Sequence, residues 1–283
     1  MTIGLSRSSR WAGQLARKPY LAFAGFGHQA SFVFRSFAAI PVTMRFYSNE
    51  VIRLLGDICW GNGALVVGGG IIGVMVLLAL FTGASVGIEG FSSLDMIGLA
   101  PFTGFVSAYV NTREIAPLAV AIAFAAQAGC RYTAQLGSMR ISEEIDALES
   151  MAIRPLPYLV TTRMLAGFIA IIPLYLVGMS ANFLATQLVL NLGFDQSKGT
   201  FLHYFNEFLV PVDLLYSALK AVVFVIIATL IHCYYGFYAS GGPQGVGVAS
   251  GRAIRNSIIA IVVTDMLITM ALWGFDPGVR ISG

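Results

Sequence analysis

Four charged residues of this sequence interrupt long apolar stretches: Arg113, Glu114, Lys220 and Asp265. Charged side chains are costly inside a bilayer, so in apolar segments they commonly mark substrate pathways or proton relays. Arg113 and Glu114 are adjacent, so on a helix they point about 100° apart and cannot fully pair with each other. Each is expected to find a partner on another helix, in a cavity or across a subunit interface. The alternative is that all four residues only hold helices together.

An acidic segment between residues 129 and 157 is the second candidate site. Its apolar residues share one helical face: Ile141, Ile145, Leu148 and Ala152. Its acidic residues form a flank beside that face: Glu143, Glu144, Asp146 and Glu149. The pattern predicts a short amphipathic helix at about 138–152, ending before Pro155. Such a helix could dock in the groove of a partner with basic residues at its rim, or could simply be a solvated loop helix.

The composition predicts the elements that must position these residues. Of 283 residues, 57% are apolar and 11% are charged, whereas soluble domains carry roughly 25% charged residues. A water-soluble protein and a disordered chain are both excluded. Uncharged or nearly uncharged runs of spanning length predict five transmembrane helices. Their expected bounds are 60–82, 97–127, 164–191, 214–238 and 256–275, with the glycine-rich stretch 241–251 as a loop.

The distribution of basic residues predicts the orientation. The segment before the first span holds seven Lys or Arg residues, the segment between spans two and three holds four, and that between spans four and five holds two. The alternate segments hold only Lys198 and Arg280. By the positive-inside rule, this predicts a multi-pass protein of the cytoplasmic (inner) membrane with its N-terminus in the cytoplasm and its C-terminus outside.

This topology bears on whether Lys220 and Asp265 can meet. Span four begins outside and span five begins inside, and each residue lies a few positions after the start of its span. Counting along the helices therefore places Lys220 nearer the outer face and Asp265 in the inner half. A direct ion pair between them would require the helices to shift or tilt.

The N-terminal segment is predicted to be a separate amphipathic element. Its apolar residues recur at alternating spacings of three and four, which is typical of one helical face. They are Phe23, Phe26, Ala30, Val33, Phe37, Ile40, Met44, Tyr47, Val51 and Leu54. Pro41 is expected to break this helix into two pieces. The arm is predicted to lie in the cytoplasmic interface with its arginines near lipid phosphates, or alternatively to pack on a partner protein.

Motifs for catalysis are missing from the sequence. It has no GxxxxGK[ST] loop to hold nucleotide phosphates and no HExxH helix. Its three cysteines, Cys59, Cys130 and Cys233, are scattered, and no metal site is predicted. The chain is therefore not expected to be an enzyme or to hydrolyse ATP by itself.

Several motifs occur together in one known family. They are Asn111-Thr-Arg-Glu-Ile-Ala-Pro117, Ala128-Gly129, Thr133-Ala134, Gly137-Ser-Met-Arg140 and Glu143-Glu-Ile-Asp-Ala-Leu148. From about residue 50 to the end, the sequence resembles the MlaE/YrbE permeases, the membrane subunits of ABC transporters that work with MCE proteins on lipids. The segments Cys233-Tyr-Tyr-Gly236 and Ala239-Ser-Gly-Gly-Pro243 are similar to the B-type YrbE of actinobacterial, especially mycobacterial, Mce systems.

The resemblance implies an all-α polytopic membrane protein with an N-terminal interfacial amphipathic helix, five transmembrane helices and a cytoplasmic coupling helix. Residues 1–57 would form the cytoplasmic basic arm and interfacial helix, and residues 58–283 the five-span permease domain. The chain would form a heterodimer with an A-type YrbE permease subunit. In this family, Arg113, Glu114, Lys220 and Asp265 match polar membrane positions, which makes them candidates for the transport pathway.

The resemblance also implies the partners. A cytosolic Mce-type ATPase would seat the coupling helix, at about 138–152. The residues expected to contact it are Glu143, Glu144, Ile145, Asp146 and Leu148. ATP and Mg²⁺ would be bound by that ATPase, and no cofactor by this chain. Mce lipid-binding proteins would hand lipid to a cavity between the two permease subunits, and no nucleic-acid partner is expected.

The main hypothesis is a permease subunit that moves fatty-acid-like or sterol lipids across the inner membrane, with import from Mce proteins as the expected direction. An ion- or proton-coupled secondary transporter, with Glu114, Lys220 and Asp265 as a relay, is the alternative. It would transport without a partner ATPase and would depend on a proton gradient. A lipid-modifying membrane enzyme is disfavoured, because no nucleophile, metal cluster or cofactor motif is found.

Overall fold

The computed structural model describes residues 27–59 and 70–274, which form helices and connecting turns without a strand. Three short helices come first, followed by long helices with two further short ones between them. The helices are α1 (27–38), α2 (Ile40–Phe46), α3 (Ser48–Cys59), α4 (Gly70–Asp95), α5 (Ala100–Ile141), α6 (Glu144–Ser150), α7 (Leu156–Gly193), α8 (Lys198–Phe208), α9 (Pro211–Phe237) and α10 (Gly242–Trp273). The all-α polytopic class predicted from the composition is therefore confirmed.

Five of these helices are long and apolar enough to cross a membrane, as predicted: α4, α5, α7, α9 and α10. The predicted bounds were wrong at several helix ends. Helix α4 continues to Asp95 instead of ending near residue 82, and α7 begins at Leu156 instead of near residue 164. Helix α5 continues to Ile141 instead of ending near residue 127. Helix α10 begins at Gly242, so most of the stretch 241–251, predicted as a loop, is helical. Pro243 occupies the first turn of α10, where a missing N–H costs nothing, and Gly241 makes the preceding turn with a φ of 89°.

The bundle has two chemically different ends. The connections from α5 to α7 and from α9 to α10 lie at one end, and the basic residues of these segments lie there or on the adjoining turns. They are Arg131, Arg140, Arg154, Arg163, Arg252 and Arg255. We call this the arginine-rich end. The opposite end holds the α4–α5 connection and α8, whose one basic residue is Lys198.

Helices α4 and α7 form the closest packing in the bundle. Gly83 lies against the backbone carbonyl of Asn182, so close that a Cβ at Gly83 would overlap it. The same approach lets Thr186 Oγ1 donate to the carbonyl of Gly83 at 2.7 Å and Asn182 Nδ2 donate to Thr82 Oγ1 at 3.1 Å. Small residues allow such close contact between membrane helices, and hydrogen bonds across it add to van der Waals packing.

The N-terminal helices pack on the arginine-rich half of the bundle. The predicted break at Pro41 is confirmed as a turn at Ala39, directly before α2. Thr43 Oγ1 donates to the carbonyl of Pro157, and Thr161 Oγ1 donates to that of Ser36, both at 3.1 Å.

The packed face of these helices differs from the predicted stripe. On α1 and α2 the buried residues are Phe32, Ser36, Ala39 and Thr43, whereas Phe37 and Met44 of the stripe are 41% and 53% exposed. On α3, the stripe residues Val51 and Leu54 are buried as core. Phe23, Phe26 and the basic residues before them lie outside the described residues.

The α4–α7 contact predicts that Gly83→Ala destabilises the protein, because the new Cβ must push two helix backbones apart. Overpacking of this kind typically costs about 1–3 kcal/mol. Thermal unfolding of the detergent-solubilised chain should show a lower midpoint. Gly56→Ala in α3 is the matched control, since nothing lies within 4 Å of a Cβ there. Equal midpoints for Gly83→Ala and Gly56→Ala would contradict the close contact.

Candidate functional site

Lys220 of α9 lies at the centre of a charged cluster between α5, α9 and α10. Its side chain is 0% exposed. Its Nζ lies 2.7 Å from Asp265 Oδ1 and 3.2 Å from Glu114 Oε2. The ammonium also donates to the carbonyl of Arg113 at 2.6 Å and to Thr269 Oγ1 at 2.9 Å. A fully buried ammonium requires such partners, because each unmet proton would lose its hydration without replacement.

Pro117 follows two backbone carbonyls that α9 uses as acceptors. A proline has no N–H, so it donates neither to the carbonyl four residues earlier, of Arg113, nor to the one five residues earlier, of Thr112. Lys220 Nζ bonds to the first, and Ser217 Oγ donates to the second at 2.5 Å. The chain is wound as a π-helix over Ser107–Ile115, directly before this proline. Such wide turns are frequent at functional sites.

Arg113 forms a second layer, nearer the end of the bundle opposite the arginine-rich end. Its Nη2 and Nε lie 2.8 and 2.9 Å from Asp213 Oδ2, and Trp273 Nε1 donates to Asp213 Oδ1 at 2.9 Å. The guanidinium carbon lies 3.9 Å from the ring centroid of Tyr109 and 5.0 Å from that of Trp273. An arginine paired with a carboxylate and flanked by aromatic rings is held in one orientation.

The structure supports the expectation that Arg113 and Glu114 find separate partners on other helices. It overturns the expectation that Lys220 and Asp265 lie at different depths. Helix α10 begins at Gly242, so Asp265 falls in the last third of a 32-residue helix and not near its start. The residue thereby reaches the half of the bundle where Lys220 lies.

Three members of the cluster were not predicted as site residues: Asp213, Thr269 and Trp273. Asp213 lies in the first turn of α9, where an acidic residue is ordinarily explained by the helix dipole. Trp273 ends α10, where tryptophan is typical of a membrane interface. The available signal was an acidic residue, Asp213, directly before one predicted span and a basic residue, Arg113, within another.

The cluster is closed on most sides and open at Glu114. Its five charged side chains include three carboxylates and two cations. The Glu114 side chain is 32% exposed, whereas those of Asp213 and Asp265 are 13% and 11% exposed. Glu114 Oε1 accepts from Thr269 Oγ1 at 2.8 Å, which fixes its position. The arrangement can present one carboxylate to a polar or cationic group. Within the described residues, no cluster of three His, Cys, Asp or Glu side chains could hold a metal ion.

The acidic segment forms the short helix α6 at the arginine-rich end. The predicted range of about 138–152 is too long, because residues 138–141 end α5 and the helix covers Glu144–Ser150. Ile145 is 1% exposed and belongs to the core of this chain, so it cannot fill a partner's groove as predicted. Leu148 is half-buried against the same core.

The acidic side chains of this segment all remain exposed: Glu143, Glu144, Asp146 and Glu149. Glu143 precedes the helix with a left-handed φ of 59°, an uncommon conformation for a residue with a side chain. Asp146 Oδ1 pairs with Arg140 Nη1 at 2.6 Å, and Ser142 Oγ donates to Glu144 Oε1 at 2.7 Å. The segment thus presents acids outward while its apolar side holds it to the bundle.

Comparison with known proteins identifies the class. The chain is 30% identical over 241 residues to a probable ABC transporter permease protein of Rickettsia felis, covering 84% of this chain and 90% of that protein. It is 28% identical over 202 residues to a probable ABC transporter permease protein of Synechocystis, covering 71% and 76% of the two chains. These relatives indicate the membrane subunit of an ABC transporter, a class that works with an ATPase partner.

The family follows from a second comparison. The model of the family described as Permease MlaE matches residues 61–271, so the chain belongs to the MlaE permease family. Another relative is the chloroplastic protein TRIGALACTOSYLDIACYLGLYCEROL 1 of Arabidopsis thaliana, 28% identical over 223 residues, or 77% of this chain and 64% of that protein. The matched range contains the Lys220 cluster up to Thr269, together with all of α6.

The Lys220 cluster predicts a large effect of Lys220→Met on stability. Removing one partner of a buried ion pair leaves the remaining charges unpaired and costs about 3–5 kcal/mol. The midpoint of thermal unfolding in detergent should fall steeply for Lys220→Met. It should not fall for Lys198→Met, because the Lys198 side chain is exposed. Adding Glu114→Gln and Asp265→Asn to Lys220→Met should recover part of the loss. No recovery would show that charge pairing is not what Lys220 supplies.

Proposed function

We propose that this chain is the permease subunit of an ATP-driven lipid transporter of the inner membrane, moving fatty-acid-like or sterol lipids received from Mce proteins. Membership of the MlaE family supports a permease, and the motifs around Cys233 and Ala239 support a B-type YrbE that pairs with an A-type subunit. Import is the proposed direction. The N-terminus lies in the cytoplasm, because the described basic residues gather at the arginine-rich end.

The observation that carries this proposal is the construction of α6. Ile145 fixes the helix to the core of the chain, while its acidic side chains face outward at the arginine-rich end. A helix held in this way can transmit a push or pull to the bundle. Acidic residues complement a partner with basic residues at the rim of its groove. We assign α6 as the coupling helix, contacting the ATPase through Glu143, Glu144 and Asp146, with Leu148 at the edge.

The Lys220 cluster supplies the second part of the proposal. It lies in the half of the bundle that is outside in this topology, where lipid would enter from Mce proteins. ATP binding would bring the ATPase subunits together, pull the coupling helices inward and compress an apolar cavity between the two permease subunits. Glu114, as the exposed member of the cluster, would meet the polar part of the lipid at the wall of that cavity.

Coupling through α6 predicts that Glu144→Lys combined with Asp146→Lys removes the ATPase from the complex. Charge reversal replaces attraction to basic residues by repulsion, and loss of one charged partner at an interface typically costs about 2–5 kcal/mol. The measurement is co-purification of the ATPase with the tagged permease, together with lipid-stimulated ATP hydrolysis. The five membrane helices should remain folded and inserted, because neither side chain is buried.

The matched control reverses two exposed acids at the other end of the bundle, Asp95→Lys with Glu207→Lys. The net charge change is the same, and this variant should retain the ATPase. Retention of the ATPase with unchanged hydrolysis in the α6 variant would end the coupling assignment. The secondary-transporter hypothesis would then take precedence.

The cluster predicts that Glu114→Gln impairs lipid uptake while leaving the complex assembled. The amide keeps the shape of the side chain and can still accept from Thr269, but it removes the charge presented to the lipid. Uptake of labelled lipid in cells or vesicles containing the whole complex should fall severalfold. Glu89→Gln, on the exposed face of α4, is the control.

Two results of uptake measurements would contradict this assignment. Normal uptake by Glu114→Gln would reduce the cluster to a structural contact between helices. Uptake that continues without the ATPase and follows an imposed proton gradient would favour the proton relay through Glu114, Lys220 and Asp265.

A further inference from the structure

Two neighbouring cavities lie at the arginine-rich end, away from the Lys220 cluster. The first, about 520 Å³, lies between the end of α9 and the start of α10, and we call it the polar mouth. The second, about 290 Å³, lies between α1, α9 and α10, and we call it the apolar slot. Tyr234 and Tyr235 line both cavities and form the wall between them. Ligand sites in proteins commonly have volumes of about 300–1,000 Å³.

The two cavities differ in chemistry in the way that the two parts of a lipid differ. The polar mouth is lined by Tyr238, Gln244 and Arg252. The apolar slot is lined mainly by Phe32, Val33, Leu230 and Ile231. Among the described residues that line either cavity, Arg252 carries a charge and none is a carboxylate. The polar mouth is therefore complementary to an anion and the slot to a hydrocarbon chain.

Hydrogen bonds hold the aromatic wall in place. Asn256 Nδ2 bonds to Tyr235 OH at 2.5 Å, and His28 Nδ1 bonds to Tyr234 OH at 3.0 Å. The rings of His28 and Phe32 also pack edge-on against Tyr238 and Tyr234, with centroids 4.7 and 5.4 Å apart. A tyrosine offers an apolar ring and a polar hydroxyl, so this wall suits the boundary between a headgroup and an acyl chain. These contacts hold the aromatic wall in one arrangement.

We infer that the polar mouth and the apolar slot together bind one anionic lipid of the leaflet at the arginine-rich end. Its headgroup lies beside Arg252 and an acyl chain enters the slot beneath α1. The site is distinct from the Lys220 cluster, which lies in the other half of the bundle, and its existence does not depend on transport. Because α1 forms one side of the slot, a bound lipid ties the N-terminal arm to α9 and α10.

The test uses the purified full-length chain, delipidated in neutral detergent without the ATPase. The probe is 1-palmitoyl-2-oleoyl-phosphatidylglycerol, titrated and counted by native mass spectrometry. Arg252→Gln should weaken the tightest binding event about tenfold, the effect of losing one charge-assisted hydrogen bond. Arg255→Gln is the matched control, because it removes the same charge from the same helix but does not line the cavities. It should change the affinity by less than about twofold.

A second pair of variants tests the apolar slot. Ala260 lines the slot, so Ala260→Phe should fill it and weaken phosphatidylglycerol binding as strongly as Arg252→Gln does. Ile259→Phe, at a neighbouring exposed position that lines neither cavity, should leave binding unchanged. Thermal unfolding of both variants checks that they are folded. Phosphatidylglycerol should raise the unfolding midpoint of the wild type and of Ile259→Phe, but not that of Ala260→Phe.

Several outcomes would overturn the inference. Equal losses for Arg252→Gln and Arg255→Gln would show that attraction is a general effect of surface charge. Equal affinity for phosphatidylcholine and phosphatidylglycerol would remove the role of the anion. Competition by glycerol phosphate or inorganic phosphate alone would indicate a site for a free phosphate and not for a lipid. A transport defect by itself has no bearing, since binding is measured in the absence of the ATPase.

Discussion

The buried ammonium of Lys220 is the constraint on which the half of this bundle opposite the arginine-rich end depends. A charge with no exposed surface must find acceptors, and the two neighbouring helices supply them at hydrogen-bond distance. Helix α5 supplies Glu114 and a carbonyl that Pro117 leaves without its usual N–H donor. Helix α10 supplies Asp265 and, one turn further on, Thr269. The relative depth of α5, α9 and α10 follows from satisfying this one group.

How much of this could be predicted from the sequence depends on the range of the interaction. Charges within apolar segments and the number of spans are local properties, and both were found. The Lys220–Asp265 contact depends on where α10 begins, and glycines at 241–251 resemble a loop when judged by propensity alone. Packing overrides that propensity here: Gly137 of α5 lets Val246 of α10 approach closely. The pairing of Asp213 with Arg113 is likewise a tertiary fact without a local pattern.

The acidic segment shows a different limit of sequence analysis. The spacing of its residues indicated an amphipathic helix with an acidic flank. An apolar stripe alone, however, does not show whether the core of this chain or a partner protein covers it. A seven-residue helix has little stability alone and must be held by tertiary contacts. Ile145 is therefore used for the core of this chain, and the surface left for a partner carries the four acidic side chains beside the exposed Ile141 and Met151. Docking on a partner stays a prediction, and charge is now expected to be the main source of complementarity.

The charged cluster and α6 are connected by a single element. Helix α5 carries Arg113 and Glu114 in its first half, and it ends at Ile141, directly before Glu143 and α6. One π-helical segment, Ala125–Gly129, interrupts the regular winding between them, and a second, Ser107–Ile115, contains Arg113 and Glu114. Wide turns of this kind are places where a helix can change its winding without losing all of its hydrogen bonds. In the proposed transporter, a displacement of α6 by the ATPase therefore has a direct path along α5 to the Lys220 cluster. That path leads through Ala125–Gly129 to Glu114 within Ser107–Ile115, and Glu114 is the most exposed carboxylate of the cluster.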